Sequence, residues 1–132
     1  MGVGAVVIHE GQVLLVRRGK EPLRGRWMVP GGTVELGEPL EAAVVREVEE
    51  ETGVVVQPID VMFVFDRIER DGEDILHHDV IVDYRCRYLR GAVRAASDAE
   101  EAAWVAEPDL PQFDLPPLAE DLVRRAFREA GT

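Results

Sequence analysis

The sequence predicts an α/β (α+β) protein in which a mixed β-sheet is sandwiched between helices. Three observations carry this expectation. Apolar residues alternate with period two in several stretches, one sharply bounded helical stretch interrupts them near the middle, and an amphipathic helical stretch closes the chain. A length of 132 residues, 46% of them hydrophobic, suits a single domain over residues 1–132 and one core.

Val3, Ala5 and Val7, then Val13 and Leu15, alternate around the turn signal Glu10-Gly11, so the first eighteen residues read as paired strands. Arg18 to Arg26 is a polar loop punctuated by Gly19, Pro22 and Gly25, and Trp27-Met28-Val29 is a short apolar run stopped by Pro30-Gly31-Gly32. A helix is expected from Leu40 to Thr52: Gly37 breaks what precedes it, Pro39 suits a first turn, and Gly53 stops it. Val45, Val48 and Thr52 form its expected packing stripe, and Ala43 leaves space on the carboxylate side. Val54 to Val56 and Ile59 to Ile68 read as β, with a hairpin turn at Asp71-Gly72. The stretch from His78 to Tyr88 alternates as one long strand, which makes His78 a core histidine. Ala102 to Ala106 is a short strand around Trp104, Pro108 to Pro117 a loop, and Leu118, Leu122, Val123, Ala126 and Phe127 the apolar face of a terminal helix ended by Gly131.

A net charge of -11 argues against binding DNA, RNA or an anionic membrane surface, because such polyanions are repelled at long range. No basic leader precedes the apolar stretch from Val3 to Ile8, and neither a signal peptide nor a membrane span is expected. The lone Cys86 excludes an internal disulfide and fits a reducing, cytoplasmic setting; it reads as a small buried hydrophobe in a strand. The basic residues are fourteen arginines and Lys20, and five of these fifteen fall between Arg17 and Arg26.

Against this acidic background, five glutamates stand between Glu41 and Glu51. On a helix Glu47, Glu50 and Glu51 occupy positions i, i+3 and i+4 and project within roughly a hundred degrees of one another. Like charges so placed repel, and two arrangements offset the repulsion. One is a solvated acidic face with Arg46 paired to Glu50. The other is a hard divalent cation, for which carboxylate oxygens suit Mg²⁺ or Mn²⁺, with no neighbouring histidine or cysteine to favour zinc.

Gly32, five residues, Glu38, seven residues, Arg46-Glu47-Val48, one residue, Glu50-Glu51, one residue, Gly53-Val54 resembles the Nudix box at every specified position. The box spans 23 residues. The Trp27-x-x-Pro30-Gly31-Gly32 entry, the paired Arg17-Arg18 and the late Trp104 preceded by acidic residues are also similar to Nudix hydrolases. The resemblance implies the Nudix fold and divalent-metal-dependent hydrolysis of the pyrophosphate bond in a nucleoside diphosphate linked to another group, ADP-ribose-like or a nucleotide sugar. A MutT-like nucleoside triphosphate pyrophosphatase is the enzymatic alternative, and a non-catalytic nucleotide-binding module the alternative of another class.

Carried over by position, Glu47, Glu50 and Glu51 are the implied metal carboxylates with the Gly31 carbonyl as a further ligand. The cofactor is then Mg²⁺, with Mn²⁺ as a substitute. Arg46 is implied to orient a neighbouring carboxylate, and Glu38 to support the loop before the helix. The general base is implied to be a box glutamate, Glu50 or Glu47, or a later carboxylate among Asp98, Glu100 and Glu101, of which Glu101 stands three residues before Trp104. Arg18 is the candidate for a phosphate or base contact, because alternation sends Arg17 to the opposite face. Arg24 and Arg26 are positioned to guide a polyanion inward, and Trp27 to stack on a base or to pack in the core. Neither a proline nor a tyrosine marker for a particular substrate occurs around Ile68 to Gly72. Many relatives pair as homodimers, so a homodimer is a possible partner state.

Overall fold

The structure is a computed structural model and describes residues 1–19, 23–94 and 99–131. Among the described residues, seven strands and two α-helices follow in the order β1 (Gly2–His9), β2 (Gln12–Arg18), β3 (Trp27–Met28), β4 (Gly31–Thr33), α1 (Leu40–Thr52), β5 (Val55–Asp71), β6 (Asp74–Arg90), β7 (Ala99–Ala106) and α2 (Pro117–Ala130). The sheet runs β3-β2-β1-β6-β5, with β4 added to β1 and β7 to β2. It is mixed because β1 and β6 run parallel, Gly4 opposite Asp83 and Val6 opposite Arg85, while the other pairs are antiparallel.

The two faces of β1 divide the core. Val3, Ala5 and Val7 pack with Val44, Val48, Val82, Tyr84 and Cys86 under α1. Val6 packs with Val13, Leu15, Met62, Val105, Leu122 and Val123 under α2. Each face therefore covers one helix with period-two side chains, which is the sandwich the alternation implies.

Helix α1 has the expected bounds, with Gly53 at a left-handed φ of 77° donating its N–H to the Glu49 carbonyl. Its packing stripe differs from the expected one: Ala43 and Val44 are buried with Val48 and Thr52, while Val45 is only partly covered. The helix sits about one residue further round because Val44, Val48, Glu51 and Thr52 follow the i, i+4, i+7, i+8 pattern that faces a flat sheet. Glu51 thereby falls inside the stripe.

Other expectations are corrected. Gly31–Thr33 is a strand rather than a stop, because a Cβ on Gly31 would collide with the Val3 carbonyl; two bare backbones pair where side chains would not fit. Val55–Asp71 is one continuous strand whose register shifts absorb Pro58, and the turn falls at Gly72-Glu73. Glu107–Phe113 forms a 3₁₀ helix rather than loop. His78 is not in the core: its side chain is exposed and its Nε2 lies 2.8 Å from Asp66, since the outer half of the β5–β6 hairpin extends beyond both helices. Leu118 is exposed as well, at the mouth of a cleft.

Candidate active site

The carboxylates of α1 fan outward in the order that 100° per residue dictates. Glu51 is 6% exposed, the Glu47 side chain 15% and the Glu50 side chain 49%. Glu51 meets β4 directly: its Oε1 accepts the Gly31 N–H at 2.8 Å. Glu47 lies against Gly32, where any Cβ would collide with the carboxylate. Gly32 therefore lets β4 lie against Glu47, and Gly31 lets it lie against the β1 backbone.

Arg46 holds the rest of the cluster. It grips Glu38 with both ends of its fork, Nε–Oε2 at 2.7 Å and Nη2–Oε1 at 2.9 Å. It also donates to Glu47 Oε1 at 2.9 Å, to Glu50 Oε2 at 3.3 Å and to the Thr33 carbonyl at 3.0 Å. Glu38 in turn accepts the Glu35 N–H at 3.0 Å, which fixes the loop entering α1. The Arg46 hydrogen bonds, aided by that backbone N–H, hold the Glu38 carboxyl down at about 2, and Glu38 pushes the guanidinium still further toward its charged form.

Glu47 and Glu51, with Gly31, Gly32 and Thr33, line a cleft of about 590 Å³; Arg46, Glu38 and Glu50 stand outside its lining. Gly31, Gly32, Glu47 and Glu51 stand at one end; Gly2, Gly4, Ile81 and Asp83 line its floor, with Met28, Val29, Leu118 and Leu122 among its apolar walls. Arg18 lines the cleft too, and its N–H and carbonyl pair with Arg26 and Gly25 to close the intervening loop. No sequence signal short of the β1–β6 pairing brings Asp83 here, and it was not among the expected site residues.

The remaining candidates fall elsewhere. Arg17 pairs with Glu101 at 2.7 Å and Glu100 at 3.4 Å across the β2–β7 ladder, and Glu101 is not among the cleft residues. Arg26 donates to the Asp114 carbonyl at 2.8 Å, tying the β3 entry to the segment before α2. Trp27 packs edge-on against Phe113, with ring centres 4.9 Å apart, in the α2-side core rather than in the cleft. Arg24 is exposed outside the cleft lining, and Asp98 and Lys20 lie outside the described residues. Cys86 is buried, and burial pushes its thiol up to about 12.

Glu47, Glu51 and the glycine backbone of β4 present oxygen donors of the kind hard divalent cations take, in a cradle that a Cβ would fill. Among the described residues no three acidic, histidine or cysteine side chains already converge on one point, since Glu50 is turned to Arg46 and Glu51 to the Gly31 N–H. The donor set fits such an ion.

The sequence matches the family model of the NUDIX domain over residues 1–126. It is 31% identical over 126 residues to the ADP-ribose pyrophosphatase of Methanocaldococcus jannaschii, covering 94% of this chain and 73% of that protein. Its fold matches the MutT NUDIX hydrolase of Burkholderia pseudomallei with a TM-score of 0.79 and 33% identity, over 93% of this chain and 94% of that one. The NUDIX domain of Shewanella oneidensis NrtR, solved in complex with ADP ribose, matches with a TM-score of 0.76 and 28% identity, over 99% of this chain and 87% of that one. Nudix hydrolases in general use divalent cations. The box read from the sequence, the sandwich that presents it and a family match over nearly the whole length agree: this chain belongs to the Nudix family and is a hydrolase of pyrophosphate bonds.

Proposed function

We propose that the chain hydrolyses the pyrophosphate linkage of a nucleoside diphosphate joined to a second group, with ADP-ribose and similar compounds as the substrate class. The observation that carries this reading is the cleft, acidic where β4 meets α1 and largely apolar elsewhere, with Asp83 and the Asp79–Arg67 pair along its β5–β6 side. A substrate with a charged diphosphate and a flat, largely apolar base fits such a gradient. The relative named as an ADP-ribose pyrophosphatase and the neighbour solved with ADP ribose support the same class.

In this reading Glu47, Glu50 and Glu51, with the Gly31 carbonyl, hold Mg²⁺, and Mn²⁺ substitutes for it. When bound, the ion neutralises the non-bridging phosphate oxygens and acidifies an attacking water. Arg46 keeps Glu47 oriented toward β4 through their 2.9 Å hydrogen bond, and its grip on Glu38 prevents the helix entry from shifting. Glu50, the most exposed of the three and the one at 3.3 Å from Arg46, takes the proton of the water. Arg18 neutralises a phosphate as the polyanion enters an acidic protein.

The test is product release from a panel of nucleoside diphosphate and triphosphate derivatives with Mg²⁺, comparing the parent with Glu50→Gln. Turnover of ADP-ribose-type substrates that falls by at least about 100-fold in the variant is expected. Equal and negligible release across the panel would overturn the reading in favour of a binding module, and turnover confined to triphosphates would replace the substrate class. Arg18→Ala is expected to raise KM, and unchanged kinetics would remove Arg18 from the site.

A further inference from the structure

Asp83 is 6% exposed, no hydrogen bond or ion pair reaches its carboxylate from the described residues, and its open side is the cleft. It stands in a row across the sheet, Phe63–Asp83–Gly4–Gly31, in which opposed residues share a face. Gly4 is what admits it: a Cβ there would collide with the Asp83 Oδ1. The Asp83 backbone stands two strands from Gly31, and its carboxylate leans over Gly4, the residue between them.

The lining around Asp83 is largely apolar, and it also carries Arg18 and the ion-paired group of Asp79 with Arg67 and the Met1 amino terminus. Met28, Val29, Phe65, Ile81 and Leu118 line the same cleft, and Phe65 stacks with Phe63 at 5.7 Å between ring centres. Burial without a partner pushes the carboxyl up to about 6, the signature of a charge the fold leaves uncompensated. A carboxylate accepts hydrogen bonds and repels phosphate, so its natural partner is a neutral donor on a flat apolar group.

We propose that Asp83 is the specificity-determining acceptor for the exocyclic amino group of the substrate's nucleobase, which lies on the apolar floor while the diphosphate reaches Gly31 and the α1 carboxylates. This rests on the reading above that the cleft takes a nucleotide. An amino-bearing base satisfies Asp83 on binding, whereas a base with a carbonyl at that edge sets oxygen against oxygen and leaves a buried charge unpaired.

The experiment compares ADP-ribose with its hypoxanthine counterpart, in which the amine is replaced by oxygen, and with the 2′-deoxyadenosine counterpart, for the parent, Asp83→Leu and Asp83→Asn. Binding of AMP and IMP by calorimetry accompanies the kinetics as a readout that needs no turnover. The parent is expected to favour the amino-bearing member roughly 10- to 100-fold in kcat/KM and in Kd. Asp83→Leu brings that ratio to about one, while Asp83→Asn, whose amide oxygen still accepts, keeps part of it. Should Asp83→Leu fail to fold, the lowered ratio of Asp83→Asn carries the test. A parent that does not discriminate, a ratio unchanged in both variants, or a loss on removing the ribose hydroxyl that depends on Asp83 overturns the proposal. A chain that turns over both bases equally overturns this inference alone; one that turns over nothing on the panel overturns the previous reading instead.

Discussion

Two acidic regions of this protein are treated in opposite ways. Around α1, Glu38, Glu47 and Glu50 share Arg46, and Glu51 has the Gly31 N–H, so each crowded carboxylate is met by a donor. On the sheet floor Asp83 is buried without a hydrogen-bond donor from the described residues, in a lining that is largely apolar. The pKa of Glu38 goes down to about 2 while that of Asp83 rises to about 6. Proximity of like charges, then, is not what strains an acid in this fold; the loss of water without a replacement donor is. A cluster with its own arginine is built to stay in place, and a solitary buried acid is built to receive something.

The comparison breaks most sharply at the acidic cluster's boundary. Gly32→Ala places a methyl group where the Glu47 carboxylate lies, and displacing a reacting group by such a distance costs on the order of 100-fold in kcat. Steady-state kinetics on the folded variant would show it, and retention of most of the activity would mean that Glu47 can leave β4 without cost. Arg46→Ala follows. It strips the shared donor from three carboxylates at once, so kcat is expected to fall about tenfold with a Tm lower by several degrees, on the order seen for loss of a charged hydrogen-bond network.

The smallest effect is also the most direct reading of the contrast, because the two acids bend stability against pH in opposite senses. Glu38 is depressed in the folded state, so its contribution is complete above its ordinary 4.5 and is lost as pH falls toward about 2. Asp83 is raised: between its ordinary 3.8 and about 6 the folded state holds the proton more tightly than the unfolded chain, so stability declines as pH rises through that window. In chelator, Asp83→Asn should therefore raise Tm by a few degrees above pH 6 and give no gain below pH 4. Glu38→Gln should lower Tm at neutral pH and lose its effect in acid. Parallel curves for the two variants would contradict the contrast.

Much of this was legible in the chain. The helix bounds at Leu40 and Thr52 follow from Pro39, Gly53 and the propensities between them, which are local properties. Period-two alternation placed Val3, Ala5, Val7, Val82, Tyr84 and Cys86 on one face, and they pack together under α1. The spacing of Glu47, Glu50 and Glu51 is likewise a matter of helical pitch. Less legible was which flank of the helix meets the sheet: Val44 and Val45 are chemically alike, and only the contact with β1 and β6 distinguishes them. By sequence Trp27 is open to base stacking or core packing, and Glu101 is one of several candidate bases; only tertiary contacts distinguish such readings. Trp27 packs on Phe113 in the α2-side core, and Glu101 pairs with Arg17 on the neighbouring strand. His78 alternates as a core residue should, yet the hairpin outruns the helices that would cover it.

By itself the sequence determined the helical spacing that makes Arg46, Glu47, Glu50 and Glu51 neighbours, because these lie within two turns of one helix; Gly31 and Gly32 meet them only through the packing of β4 on α1. The parallel pairing of β1 with β6 decided that Asp83 faces Gly4 and the cleft, since strand register joins residues far apart in the chain and no local pattern encodes which partner a strand will find. Burial and the loss of water at Asp83 are properties of that assembled surface rather than of the residue.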